Sequence, residues 1–163
     1  MVVAITDPDP KVAGAGIARL RDAGVEVTSG VLADEAAEQL APYLHHRRTG
    51  RPFVVLKLAT TLDGRVAAVD GTSQWITGIE ARTAAHQLRA ESDAIVVGAG
   101  TVRADDPSLT TRLVDGPSPR RIVLGRAPEG AKVHPCTEWT GELTELLDTL
   151  GSEIGRASCR ERV

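Results

Sequence analysis

Ala94-Ile95-Val96-Val97-Gly98-Ala99-Gly100-Thr101 is the stretch on which the fold turns. Its four leading apolar residues do not alternate with polar ones, the mark of a strand covered on both faces in a parallel sheet. The glycines that follow end the strand in a turn whose backbone N–H groups no side chain obstructs. Such a turn suits a phosphate, or is simply tight. The third glycine of a dinucleotide fingerprint is missing.

On the C-terminal side, Arg121 to Leu124 forms a second strand of the buried type. On the N-terminal side, Thr77-Gly78-Ile79-Glu80 has the spacing of a capping box and predicts a helix start. Ala81, Ala84, Ala85 and Leu88 then make an apolar stripe, and Arg82, His86 and Arg89 a basic one on another face. The basic stripe fits a solvated face, or guanidinium groups offered to a phosphorylated ligand. Strand, helix and strand in this order predict an α/β sheet with parallel neighbours.

Further upstream, Phe53 to Leu58 is nearly continuous apolar sequence and reads as another strand covered on both faces. Lys57 interrupts it. A charge there costs free energy unless paired, which makes Lys57 a candidate acid or ligand contact, or a side chain snorkelling from the sheet end. Asp63-Gly64 either sets a carboxylate beside a ligand or is a turn. Before these, Val2 to Ile5 reads as a strand, Ile17 to Asp22 as a helix closed by Ala23-Gly24, Val25 to Val27 as a strand and Asp34 to about Leu44 as a helix. His45 to Gly50 is basic and reads as a flexible boundary between a domain piece at 1–49 and another at 50–152. A last helix is expected to end at Leu150-Gly151. The basic, aperiodic run Glu153 to Val163 looks like the in-frame translation of a sequencing-library adapter and is expected to be non-native.

With 42% hydrophobic and 25% charged residues, the 163-residue chain is of globular composition, and one Phe, one Tyr and two Trp leave its core to aliphatic side chains. A net charge of −3 gives no basic surface for nucleic acid or an anionic membrane, so a small molecule is the expected partner. No apolar run is long enough to span a bilayer and no signal peptide is evident, so the cytoplasm is expected. Two cysteines, Cys136 and Cys159, supply neither a disulfide framework nor a zinc quartet. Pro135-Cys136 begins like the Pro-Cys-x-x-Cys of zinc deaminases, but Trp139 stands at the second thiolate and no His-x-Glu occurs. His45, His46 and His134 lack metal-ligand spacing and read as surface histidines.

Three motifs in order carry a resemblance. Leu56-Lys57-Leu58-Ala59-Thr60-Thr61-Leu62-Asp63-Gly64-Arg65, Gly71-Thr72-Ser73-Gln74-Trp75-Ile76-Thr77 and Val97 to Thr110 closely resemble the bifunctional riboflavin-biosynthesis deaminase/reductases. The resemblance implies an incomplete dihydrofolate-reductase-like α/β reductase domain, preceded by the C-terminal remnant of a cytidine-deaminase-like α/β domain. For the longer parent protein it implies NADPH-dependent reduction of 5-amino-6-(5-phosphoribosylamino)uracil to the ribitylamino product, with deamination absent from this fragment and the fragment alone expected to be inactive. Ala59, Trp75, Thr101 and Asp105 would lie at NADPH; Ser73, Arg89, Leu109 and Arg112 would lie at the substrate. Lys57 and Asp63 are the candidates for the proton donor. Zinc would belong only to the part of the deaminase that this chain does not contain, and the longer parent could be a homo-oligomer. A Val-Glu-Gly-Gly segment that the family carries further on is not in the chain, and without it Phe53 to Leu58 and Ala94 to Val97 are expected to be left uncovered. The rivals are a pteridine reductase of the dihydrofolate-reductase type and a nucleotide-binding module without turnover.

Overall fold

In a computed structural model, which describes residues 1–72 and 75–154, the chain opens with β1 (Val2–Val3), α1 (Ala15–Asp22) and β2 (Thr28–Ser29). β1 and β2 pair in parallel. The second strand begins one residue beyond the Val25 to Val27 expected to form it, because the main-chain N–H of Val25 is used to close α1 on the carbonyl of Leu20.

The single helix expected from Asp34 is two, α2 (Ala33–Gln39) and α3 (Ala41–Thr49). Pro42 explains the break, since proline cannot donate to the preceding turn but is tolerated in the first turn of a new helix. α3 then runs through the residues expected to be a flexible boundary, and Gly50 closes it at φ 71, a left-handed conformation that costs glycine little. His46 is correspondingly no surface histidine. It is buried, with Nε2 3.0 Å from the carbonyl oxygen of Gly151.

Phe53 to Leu58 forms no strand. Val54, Leu56 and Leu58 are exposed, Leu56 at 81%, because the segment has no ladder partner among the described residues. Apolar side chains alone do not make a strand; its N–H and C=O groups need a neighbour.

The chain continues through α4 (Ile79–Ala90), β3 (Ala94–Gly98), α5 (Ala99–Asp105), β4 (Arg120–Leu124), β5 (Thr137–Trp139) and α6 (Leu143–Ile154). The strands expected around 94–97 and 121–124 are therefore present. They pair in parallel, Ala94 opposite Arg120 and Val96 opposite Ile122, and β5 adds a third parallel strand beside β4. Side chains of β4 alternate across the sheet. Ile122 packs with Ala94, Leu146 and Leu150 under α6, while Val123 packs with Ala99, Val102, Leu109 and Val133 on the opposite face.

The last helix does not end at Gly151 but continues to Ile154. Gly151 is required for a different reason: a Cβ there would collide with the carbonyl oxygen of Gly50. The absence of a side chain lets α6 lie directly on the end of α3, where Arg51 and Asp148 also pair at 2.6 Å. Glu153, the first residue of the stretch read as foreign, pairs with Arg120 at 2.7 Å. The remainder of that stretch, from Gly155 onward, lies outside the described residues.

Candidate functional site

α4 organises the site, and it does so with the face that composition would put in water. Thr77 does not cap it; Gly78 occupies that position in an extended conformation, with no side-chain cap. Ala81 and Ala84 of the apolar stripe are exposed, whereas His86 of the basic stripe is the one buried residue of the helix and Arg82 and Arg89 are half-buried. The basic stripe is therefore not a fully solvated face: Arg82, His86 and Arg89 border a cavity, which Ala81 and Ala85 of the apolar stripe border as well.

That cavity measures about 620 Å³ and is bordered by Lys57, Ala59, Trp75, Arg89, Asp105, Leu109 and Arg112, all singled out by the motifs. A second cavity of about 540 Å³ shares Lys57, Arg89, Asp105 and Leu109 with it and adds Thr101. The two therefore adjoin, sharing a wall made by α4, the end of α5 and the loop that follows it. Asp63 lies at neither. It is an exposed turn carboxylate bonded to Thr61 and Arg65, and the Thr61 hydroxyl leads in holding it below the usual carboxylate range. Ser73 lies outside the described residues.

Lys57 is exposed rather than enclosed in a strand, so the desolvation cost expected for it does not arise. Its side chain borders both cavities. Trp75 is 70% exposed, and the guanidinium carbon of Arg82 sits 4.0 Å from the indole centroid. That distance is well inside cation–π range. Arg82 Nε is buried without a hydrogen-bond partner among the described residues.

At the other end, Arg89 and Arg112 stand together. Arg89 Nη1 donates to the carbonyl of Thr110 at 3.4 Å, and Arg112 Nη1 donates to Thr110 Oγ1 at 2.8 Å and to the hydroxyl of Ser108. Neither guanidinium meets a carboxylate within salt-bridge distance among the described residues. Burial, and then the Arg112 charge, pull Arg89 below its ordinary value. Two like charges held side by side can receive an anion, whose binding would remove a repulsion that the fold otherwise sustains.

The loop that carries Arg112 is itself under strain. Leu109, 6% exposed, has φ 53, and Asp106 has φ 41. A branched side chain in left-handed backbone costs on the order of 1–3 kcal/mol and persists only where surroundings impose it. Here Leu109 is locked into the core beside Val102 and Val123, and Asp106 accepts the main-chain N–H of Lys132 at 2.8 Å. The Lys132 bonds hold the Asp106 carboxyl below its usual range. Asp106, Ser108, Thr110 and Lys132 were not singled out by the sequence reading, although the first three lie within or beside the motif that was quoted. His86 was noticed only as part of a stripe.

No group of three or more His, Cys, Asp or Glu among the described residues is arranged to hold a metal. Burial pushes the thiol of Cys136 up, away from the thiolate that metal binding requires.

The RibD C-terminal domain family matches residues 52–140. The riboflavin biosynthesis protein RibD of Mycobacterium tuberculosis is 52% identical over 131 residues, which cover 77% of this chain and 38% of that protein. The Escherichia coli (K12) protein of the same name is 46% identical over 112 residues, 69% of this chain and 30% of that one. Among solved structures, Acinetobacter baumannii RibD superposes with a TM-score of 0.81 at 35% identity, covering 99% of this chain and 52% of that one. A diaminohydroxyphosphoribosylaminopyrimidine deaminase/5-amino-6-(5-phosphoribosylamino)uracil reductase from Thermotoga maritima gives 0.80 at 33% identity, covering 93% of this chain and 50% of that one. The chain thus spans about half of the solved chains and less of the curated relatives.

Proposed function

The chain belongs to the RibD C-terminal domain family, and from that premise we propose that it contributes to the NADPH-dependent reduction of 5-amino-6-(5-phosphoribosylamino)uracil in riboflavin biosynthesis. The observation that carries the reading is the convergence of residues from separate motifs on one cavity, with a pair of arginines at one end and an exposed indole at the other.

The donor set suits both ligands. Trp75 and Arg82 offer a flat, cationic surface for a nucleotide, Ala59 leaves room beside them, and the Thr101 hydroxyl and Asp105 carboxylate can accept from ribose hydroxyls. NADPH, when bound, supplies the hydride. Arg89 and Arg112 hold the phosphate of the substrate, which fixes its ribose along the cavity and turns binding energy into orientation. Leu109, rigid in the core, gives that ribose an apolar wall. Lys57, which borders both cavities, would hold a proton near the reacting carbon, and Asp63, bonded within its own turn, borders neither cavity.

Equilibrium binding tests the reading. The phosphoribosylamino substrate should compete with ribose 5-phosphate for the chain, and Arg89→Ala or Arg112→Ala should weaken both. Dihydrofolate competing in their place would favour a pteridine reductase. NADPH bound with no response to any of these would leave a nucleotide-binding module.

A further inference from the structure

His86 is buried, 5% exposed, among the residues lining the 620 Å³ cavity, and its two ring nitrogens face donors. The main-chain N–H of Arg112 lies 2.9 Å from Nδ1. A backbone N–H can only donate, so Nδ1 is an acceptor and the proton of the neutral ring resides on Nε2. Nε2 is 3.2 Å from Arg89 Nη1, which also can only donate. That contact is therefore not a hydrogen bond. Arg89 Nη1 has the Thr110 carbonyl for one of its N–H groups, but Nε2–H of His86 has no acceptor among the described residues, in a buried position where an unmet donor is costly.

The missing acceptor has a definite chemistry. It must be an oxygen able to receive from an imidazole N–H and a guanidinium N–H together, and it must tolerate Arg112 close by. A neutral carbonyl would meet the first need but leave two positive charges unbalanced. An anionic oxygen meets both. On the reading that this cavity takes a phosphorylated substrate, we propose that His86 is a further binding residue, its Nε2–H donating to a phosphate oxygen held between Arg89 and Arg112. The Arg112 main-chain N–H fixes the tautomer, so the same loop that brings the second guanidinium also aims the imidazole proton. Burial and the two cations, the charged groups that face the ring, lower its tendency to protonate and keep Nδ1 free to accept.

Two isosteric substitutions separate this role from a structural one. Glutamine places an amide N–H near the position of Nε2, whereas asparagine places its oxygen near Nδ1. Ribose 5-phosphate and inorganic phosphate are the probes, with melting curves to confirm that each variant is folded. His86→Gln should bind ribose 5-phosphate within a few-fold of wild type, and His86→Asn should bind about tenfold more weakly, the loss of one charge-assisted hydrogen bond. The reverse order, or equal effects of the two, overturns the proposal. The unaltered chain provides a check that does not depend on a variant: the Nε2–H resonance of His86 should shift when ribose 5-phosphate is added, and an unmoved resonance at saturating ligand overturns the proposal as well. If inorganic phosphate binds in a His86-dependent way but ribose 5-phosphate does not, the anion site stands and the reductase reading falls. If ribose 5-phosphate binds and no His86 variant alters it, the reading stands and this inference falls.

Discussion

Phe53 to Leu58 and Ala94 to Gly98 have nearly the same sequence character, yet one is largely exposed and belongs to no strand and the other is the edge of a three-stranded sheet. Both are short, apolar and non-alternating. The difference is β4: Ala94 to Gly98 is in register with Arg120 to Leu124 along its whole length, and Phe53 to Leu58 has no such neighbour among the described residues. Apolar sequence supplies the wish to be buried, and pairing supplies the means. Breaking the paired region should therefore cost far more than altering the unpaired one.

The largest effect is expected at the centre of the sheet. Ile122, 1% exposed, packs under α6 with Ala94, Leu146 and Leu150. Ile122→Ala should lower unfolding free energy by roughly 2–5 kcal/mol in a denaturant titration, from lost transfer energy plus the cavity left behind. Gly151→Val tests the seam between α3 and α6, where the added carbons have no room against Gly50. Overpacking of this kind costs on the order of 1–3 kcal/mol, and a melting temperature equal to wild type would show that the seam is loose.

The two cavities rank next because they lie between the paired and unpaired regions and draw on both. Arg89→Ala should weaken binding of ribose 5-phosphate by about tenfold to a hundredfold, the worth of hydrogen bonds to a charged group. Lys57→Ala, on the unpaired side, should change affinity less, since the exposed ammonium has the solvent as a competitor. Equal losses would mean that the extended segment is as well held as the helix.

His86 adds a dependence on pH whose sign is fixed. Its folded-state pKa is lowered, first by burial and then by Arg89 and Arg112, so the unfolded chain binds the proton more readily. Stability from this group is complete above about pH 6.5, the unperturbed histidine value, and is lost as pH falls below it. The slope of unfolding free energy against pH in that range should flatten in His86→Gln. Asp9 and Asp106, both lowered, contribute in the same direction but in the acid range, where the opposite shift of Asp93 by burial works against them.

How much of this was legible in the sequence follows from the same contrast. The strands at 94–98 and 120–124, the helix between Gly78 and Glu91 and seven of the residues that border the 620 Å³ cavity could be read, because each depends on local pattern or on motif identity. The face of α4 that turns inward could not. An apolar stripe is ordinarily the buried one, whereas here His86 of the basic stripe is the buried residue of the helix and Ala81 and Ala84 are exposed. Gly151 was taken for a helix end because glycine usually marks one, whereas its role is to admit the backbone of residues a hundred positions earlier. The left-handed backbone of Leu109 gave no signal, although the residue itself was singled out by its motif, since a left-handed leucine is dictated by its packing and not by its side chain.

The smallest effect is expected in Phe53 to Leu58 itself, and it is the sharpest test of the comparison. Leu56→Ser replaces a side chain that is 81% exposed and so already mostly in water. Unfolding free energy should change by no more than about 0.5 kcal/mol, as for surface substitutions generally. Amide hydrogen exchange should agree, with Val55 to Leu58 exchanging early while Ile95 to Val97 are held by their ladder with β4. What should change is solubility, because Val54, Leu56 and Leu58 together form an apolar edge that invites association. A serine that left association unaltered but destabilised the chain by several times that amount would mean that the segment is buried in solution, and that the two regions are alike after all.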